Sequence, residues 1–139
     1  MPSFSITRRV QFAETDMAGI VHFSHYFRYM EEVEHAFFRS RGLSVHMKLG
    51  DRQIGWPRAA CSCEFFGPLR FEDEVQLVLR LTKLGQKSFN YEVDFVVGGR
   101  NVALGKLTSV CCEITPDGMR AIPIPDQIRN QLSADAAVQ

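Results

Sequence analysis

The sequence predicts an α+β fold in which one long helix packs against a five-stranded antiparallel sheet. Sustained three-and-four spacing of apolar residues occurs once, within Glu14 to Arg39, and predicts a helix of about 18 residues beginning after Ser24. Period-two alternation occurs in one run before that helix and in four runs after it. Gly98-Gly99 joins two of those runs in the manner of a tight hairpin. One helix of about 18 residues is roughly 27 Å long, so it shields only one face of such a sheet.

Phe4, Ile6, Val10 and Phe12 alternate with Ser5, Thr7, Arg9 and Gln11, which reads as the first strand, with Arg8 the one charge on its inward side. It ends at the corner Ala13-Glu14-Thr15-Asp16. On the helix, Phe23, Phe27, Met30, Val33 and Phe37 form one stripe with Tyr26 and Ala36 beside it, while Arg28, Glu31, Glu32 and His35 fall off it. Ser24 is placed to cap the first turn and Gly42 to end the last. Leu43 to Gly55 holds no period and carries Gly50-Asp51 and Gly55, so it reads as a loop, or a loop with a short turn of helix, of the kind that walls a pocket. Alternation resumes at Trp56, with Ala59, Cys61, Cys63 and Phe65 on one face, until Gly67-Pro68 breaks it and Phe71-Glu72-Asp73 turns. Val75, Leu77, Leu79 and Leu81 make the third strand, and Phe89, Tyr91, Val93, Phe95 and Val97 the fourth. Asn101 to Thr115, apolar on parts of both faces, reads as one long central strand closed by Pro116-Asp117-Gly118. Ile128 and Leu132 mark a short terminal helix that frays.

With 139 residues and 45% apolar content, residues 1–139 support a single domain with a full core. Sixteen basic and sixteen acidic residues cancel with no block of one sign, which argues against nucleic acid and anionic membrane as partners. Met1-Pro2-Ser3-Phe4 does not open a leader peptide and no apolar run is long enough to span a bilayer, so a soluble cytoplasmic protein is expected. Cys61, Cys63, Cys111 and Cys112 are spaced C-x-C and C-C, unlike the C-x-x-C pairs of zinc sites; they read as reduced core cysteines, and no metal site is expected. Glu31, Glu32 and Glu34 with Arg28, Arg39 and Arg41 read as an ordinary solvated helix face.

Asp16 is a carboxylate on the loop that leads into the helix, and on its own it reads equally well as the cap of a turn. The run Asp16-Met17-Ala18-Gly19-Ile20-Val21, followed by an aromatic-rich helix with Tyr26 and Glu31, resembles the 4-hydroxybenzoyl-CoA thioesterase family of the hot-dog fold. Gly67-Pro68-Leu69-Arg70-Phe71-Glu72-Asp73 and the tail Ile122-Pro123-Ile124-Pro125 extend the resemblance over nearly the whole chain. It implies a five-stranded sheet wrapped around the central helix, dimers with a continuous sheet, and sites at the subunit interface. It also places Asp16 at the family's catalytic aspartate and Glu31 at a family position open to an ion pair between subunits. Phe23 stands where some relatives have a histidine, and Phe12 where they have a tyrosine.

Under that resemblance the expected activity is hydrolysis of an acyl thioester, carried by coenzyme A or acyl carrier protein, with no further cofactor. The chemistry needs a nucleophile or base at the carbonyl carbon and donors where negative charge develops on the carbonyl oxygen. Asp16 serves as the first, and the amides around His22 and Phe23, at the positive end of the helix, as the second, with Gly19 giving a bend that admits substrate. Tyr26 and Trp56 are expected to line the acyl slot, and Arg58, Arg70, Lys83, Lys87 and Arg100 are available to phosphates. A hydratase or dehydratase would need a histidine set against an acid across the site, which the closely spaced His22 and His25 do not provide. A module that binds a thioester without cleaving it would lack the carboxylate. Strand faces carrying Val78, Val96, Ala103, Leu107 and Cys111 are expected to stay bare and to drive assembly into a homodimer or homotetramer. Glu14 is expected to matter far less than Asp16.

Overall fold

Alternating side chains set the main sheet. In a computed structural model describing residues 2–134, the alternating runs become β1 (Ser3–Arg9), β4 (Arg58–Phe65), β5 (Glu74–Leu84), β6 (Ser88–Val97) and β7 (Arg100–Val110). They pair antiparallel in the order β1-β5-β6-β7-β4. Val75, Leu77, Leu79 and Leu81 of β5 and Phe89, Tyr91, Val93 and Phe95 of β6 are buried on one face. The hairpin at Gly98-Gly99 is a two-residue loop with φ of 55° and 78°, the left-handed conformation that glycine adopts without a Cβ clash.

The helix α1 (His25–Ser40) lies across that face, burying Tyr26, Tyr29, Met30, Val33, Glu34, Phe37 and Phe38. The expected stripe is therefore rotated: Phe23 and Phe27 are exposed, and Tyr29 and Phe38 take their place inside. At Gly105 the Met30 side chain of the helix lies so close to the sheet that a Cβ would overlap it. Gly105→Ala is expected to cost about 1–3 kcal/mol by overpacking, read as a fall in urea midpoint at unchanged m value.

The opposite face of the sheet is largely polar, with Val78 and Val96 half-buried among polar neighbours, which corrects in part the expectation of a bare apolar face there. Ala103 and Leu107 point toward the helix and are buried, as is Cys111. The outer face instead carries Arg80 paired with Glu92 and Asp94, and Asn90 donating to Thr108 at 2.8 Å. The uncovered apolar surface lies elsewhere. β4 is an edge strand that α1 covers only in part, touching it at Arg58 and Phe65, and Cys61 is exposed, Cys63 half-buried and Phe65 exposed. Only Cys111 and Cys112 fit the reading as core cysteines.

Two segments differ from expectation. Leu43 to Gly55 contains β2 (Met47–Leu49) and β3 (Arg52–Gly55), which with β8 (Cys112–Thr115) and β9 (Gly118–Ala121) make a second, four-stranded sheet. Strands of three and four residues carry too little pattern for a period to show. The run Asn101 to Thr115 is two strands, because the Cys111 amide leaves the β7 ladder to donate to the Lys87 carbonyl at 2.7 Å. The terminal helix is α2 (Asp126–Ser133), held by buried Ile128 and Leu132; its expected fraying falls outside the described residues. The predicted solvated face of α1 is half right. Glu34 is fully buried and pairs with Arg58 of β4, while Glu31 is exposed and 4.0 Å from the same guanidinium.

Candidate active site

The loop that carries Asp16 is closed by its own backbone. Thr15 and Val21 form a bridge, the Asp16 amide donates to the Ile20 carbonyl at 2.9 Å, and the Gly19 amide donates back to the Asp16 carbonyl at 3.0 Å. That return needs φ of +80° at Gly19, which a side chain would oppose. The Asp16 carboxylate is exposed, and its Oδ1 accepts from the Ala18 amide at 2.8 Å. The Val21 amide donates to the Leu69 carbonyl at 2.8 Å, fixing the loop against the segment after Gly67-Pro68.

The expected pair of free amides is reduced to one. The His22 amide donates to the Glu14 carbonyl at 2.9 Å, whereas the Phe23 amide has no acceptor among the described residues. Ser24 precedes α1 but does not cap it; its hydroxyl pairs with His22 Nδ1 at 2.8 Å. The His22 ring rests on Phe23 with centroids 4.6 Å apart. Tyr26 is buried, edge-on to Phe65 at 4.8 Å, and burial raises its phenol above the ordinary value, so it stays protonated at neutral pH.

These groups surround a cavity of about 440 Å³ lined by Asp16, Ile20, Val21, Phe23 and Tyr26 on one side and by Phe65, Gly67 and Pro68 on the other. Apart from Asp16 and the Tyr26 hydroxyl its walls are apolar. Trp56 is absent from it. β4 runs antiparallel to α1, with Arg58 opposite Glu34 and Phe65 opposite Tyr26, so its far end meets the start of α1; Trp56 packs 5.7 Å from Phe38 and 5.2 Å from Phe89 in the core. Its indole Nε1 is buried without an acceptor among the described residues. A smaller depression of about 290 Å³ lies over β4, β6 and β7, where Asn90 pairs with Thr108 and Glu92 with Lys106.

Behind the loop lies a cluster the sequence did not single out. Glu14 is buried, and its carboxylate receives both terminal nitrogens of Arg8, the Gln11 amide at 2.8 Å and the Tyr29 hydroxyl at 2.7 Å. Arg8 also reaches Glu32 at 3.1 Å and lies 4.4 Å over the Tyr29 ring. Burial alone would raise the Glu14 carboxyl, but the donors from Arg8, Gln11 and Tyr29 outweigh it and bring it down to about 2. A carboxyl depressed in the fold contributes stability above its unfolded value, and loses it as pH falls toward the folded one. The stability difference between the native chain and Glu14→Gln is therefore expected to shrink between about pH 4.5 and pH 2, measurable by denaturant titration. The inward charge noticed at Arg8 was the one sequence signal for this cluster.

A single long helix cradled by an antiparallel sheet is the hot-dog architecture that the resemblance implied. The chain belongs to the Thioesterase-like superfamily, whose family model matches residues 10–132. A 1,4-dihydroxy-2-naphthoyl-CoA hydrolase of Microcystis aeruginosa (strain NIES-843 / IAM M-2473) is 26% identical over 125 residues, covering 90% of this chain and 89% of that one. The structure of a gentisyl-coenzyme A thioesterase superposes with a TM-score of 0.82 at 32% identity, covering 94% of this chain and all of that one. A 4-hydroxybenzoyl CoA thioesterase mutant complexed with 4-hydroxybenzoyl CoA shares the fold, with a TM-score of 0.82 at 20% identity over 96% of this chain. The chain is thus a thioester hydrolase, and the resemblance drawn from Asp16–Val21 and the later segments holds at the level of fold and family. No helix is long and apolar enough to cross a membrane among the described residues.

Proposed function

We propose that the chain hydrolyses acyl-CoA thioesters, with Asp16 acting on the carbonyl carbon as nucleophile or general base and the Phe23 amide receiving the charge that develops on the carbonyl oxygen. One observation carries this reading. The Asp16 carboxylate and Phe23, whose amide is the free donor at the helix start, border the same apolar cavity. One carboxylate oxygen is steadied by the Ala18 amide and the other is left for a water or for the carbonyl carbon. A donor aimed at the oxyanion contributes on the order of 2.7–4 kcal/mol to the transition state. The apolar walls receive the acyl group, and the aryl-CoA substrates in the names of the relatives fit a cavity lined by Phe23, Tyr26 and Phe65.

Of the five basic residues available to coenzyme A phosphates, Arg58 is held by Glu34, and Lys83 and Lys87 flank the β5–β6 turn, at the far end of the sheet. Arg70, two residues beyond Pro68, and Arg100, at the turn beside it, are exposed at the cavity end. A second copy completes the site by adding to the free edge of β4, where Phe65 stands 51% exposed, with Phe27 of α1 41% exposed. Turnover of one or more aryl, short, medium or long acyl-CoAs, read as free thiol, is the expected result; silence across that panel would favour a binding module. Light scattering is expected to give at least twice the 15.8 kDa of one chain, and a fully active monomer would overturn the assembly.

A further inference from the structure

We infer that Glu14, held by Arg8 and Tyr29, is a positioning residue that sets Asp16 and the Phe23 amide against each other. The inference rests on the reading of Asp16 and Phe23 given above, and adds to it a group that lines no part of the cavity. Glu14 fixes both halves of the site from one place. Its carboxylate is anchored to β1 through Arg8 and to α1 through the Tyr29 hydroxyl at 2.7 Å. Its carbonyl accepts from the His22 amide at 2.9 Å, immediately before the free Phe23 amide. Asp16 lies two residues further along the chain, past the Thr15–Val21 bridge that closes the loop.

The anchor is rigid for physical reasons. The carboxylate takes donors on both oxygens, two of them from a forked guanidinium, and such bidentate charged pairs fix direction as well as distance. Arg8 is in turn held by Glu32 and by the face of the Tyr29 ring, so no member of the cluster is free to swing. Displacing a reacting group by about 1 Å costs on the order of a hundredfold in rate. A clamp of this kind acts on kcat through geometry, and leaves the apolar walls that bind the acyl group in place.

The test compares Glu14→Gln and Tyr29→Phe with Asp16→Asn and with Leu132→Ala, a core variant on α2 far from the loop. Glu14→Gln puts an amide nitrogen against the Arg8 guanidinium and is expected to lower kcat ten- to a hundredfold, with KM changed less than threefold. Tyr29→Phe keeps the ion pair and the buried ring, stays folded, and is expected to lower kcat about three- to tenfold. Leu132→Ala is expected to lower Tm while keeping kcat per folded molecule. Unchanged kcat in Tyr29→Phe, or losses in both clamp variants that only follow their loss of folded protein, would overturn the inference. Failure of the underlying reading looks different, because Asp16→Asn would then keep its turnover.

Discussion

Asp16→Asn is expected to lower kcat at least a hundredfold while the protein stays folded. The substitution is close to isosteric, and an Asn oxygen can still accept from the Ala18 amide that now bonds Oδ1 at 2.8 Å. The loop bonds from the Asp16 amide to Ile20 and from Gly19 to Asp16 are backbone bonds and survive the change. What is lost is chemical: a neutral amide neither takes a proton from water nor attacks a thioester carbonyl. A hundredfold corresponds to about 2.7 kcal/mol of transition-state stabilisation. The measurement is steady-state kcat and KM on the best acyl-CoA, with Tm alongside. Half or more of the native kcat in a folded variant would remove Asp16 from the chemistry.

Arg58→Met is expected to produce the largest loss of stability, about 3–5 kcal/mol above neutral pH, because it strands a buried carboxylate. Glu34 is fully buried, and Arg58 Nη1 donates to its Oε2 at 2.8 Å while Nη2 pairs with Oε1. Burial raises the Glu34 carboxyl above the ordinary range, and Arg58 offsets part of that rise. Without Arg58 the offset is gone. A carboxyl raised in the fold contributes its full stability below the unfolded value, near 4.5, and loses it as pH rises through the folded value. The variant is therefore expected to be far weaker than the native chain at pH 8 and to approach it at pH 5, by urea unfolding at both pH values. Equal destabilisation at the two pH values would show that lost packing, and not a stranded charge, is responsible. Arg58→Met with Glu34→Leu is expected to recover most of the loss, since paired removal of a buried ion pair is often near neutral.

Much of the fold was legible because side-chain period and turn chemistry are local. Strands β5 and β6 announced themselves through Val75 to Leu81 and Phe89 to Phe95, and Gly98-Gly99 fixed their neighbour β7. The small sheet was not legible, since its three- and four-residue strands exist only because β8 arrives beside β3. The candidate site was partly legible. Asp16, Phe23 and Tyr26 do meet at one cavity, but Trp56 does not, because strand direction rather than strand face decides which end of β4 meets the start of α1. Phe65, Gly67 and Pro68 stand in its place. Glu14 read only as part of the corner after the first strand, and nothing short of bringing β1 and α1 together shows that Arg8 and Tyr29 converge on it.

The sequence by itself determined the number and kind of the long elements, the reach of one helix over one face, and the family through Asp16–Val21 and Gly67–Asp73. These depend on contacts between near neighbours along the chain, or on residue types that one backbone shape demands. Tertiary structure decided which charges are buried and which apolar groups are left outside. Glu34 reads as a surface acid until Arg58 arrives from a distant strand, and the β4 cysteines read as core until the strand turns out to be an edge. Burial is a property of what comes to lie on a side chain from elsewhere in the chain, so no periodicity along the chain encodes it.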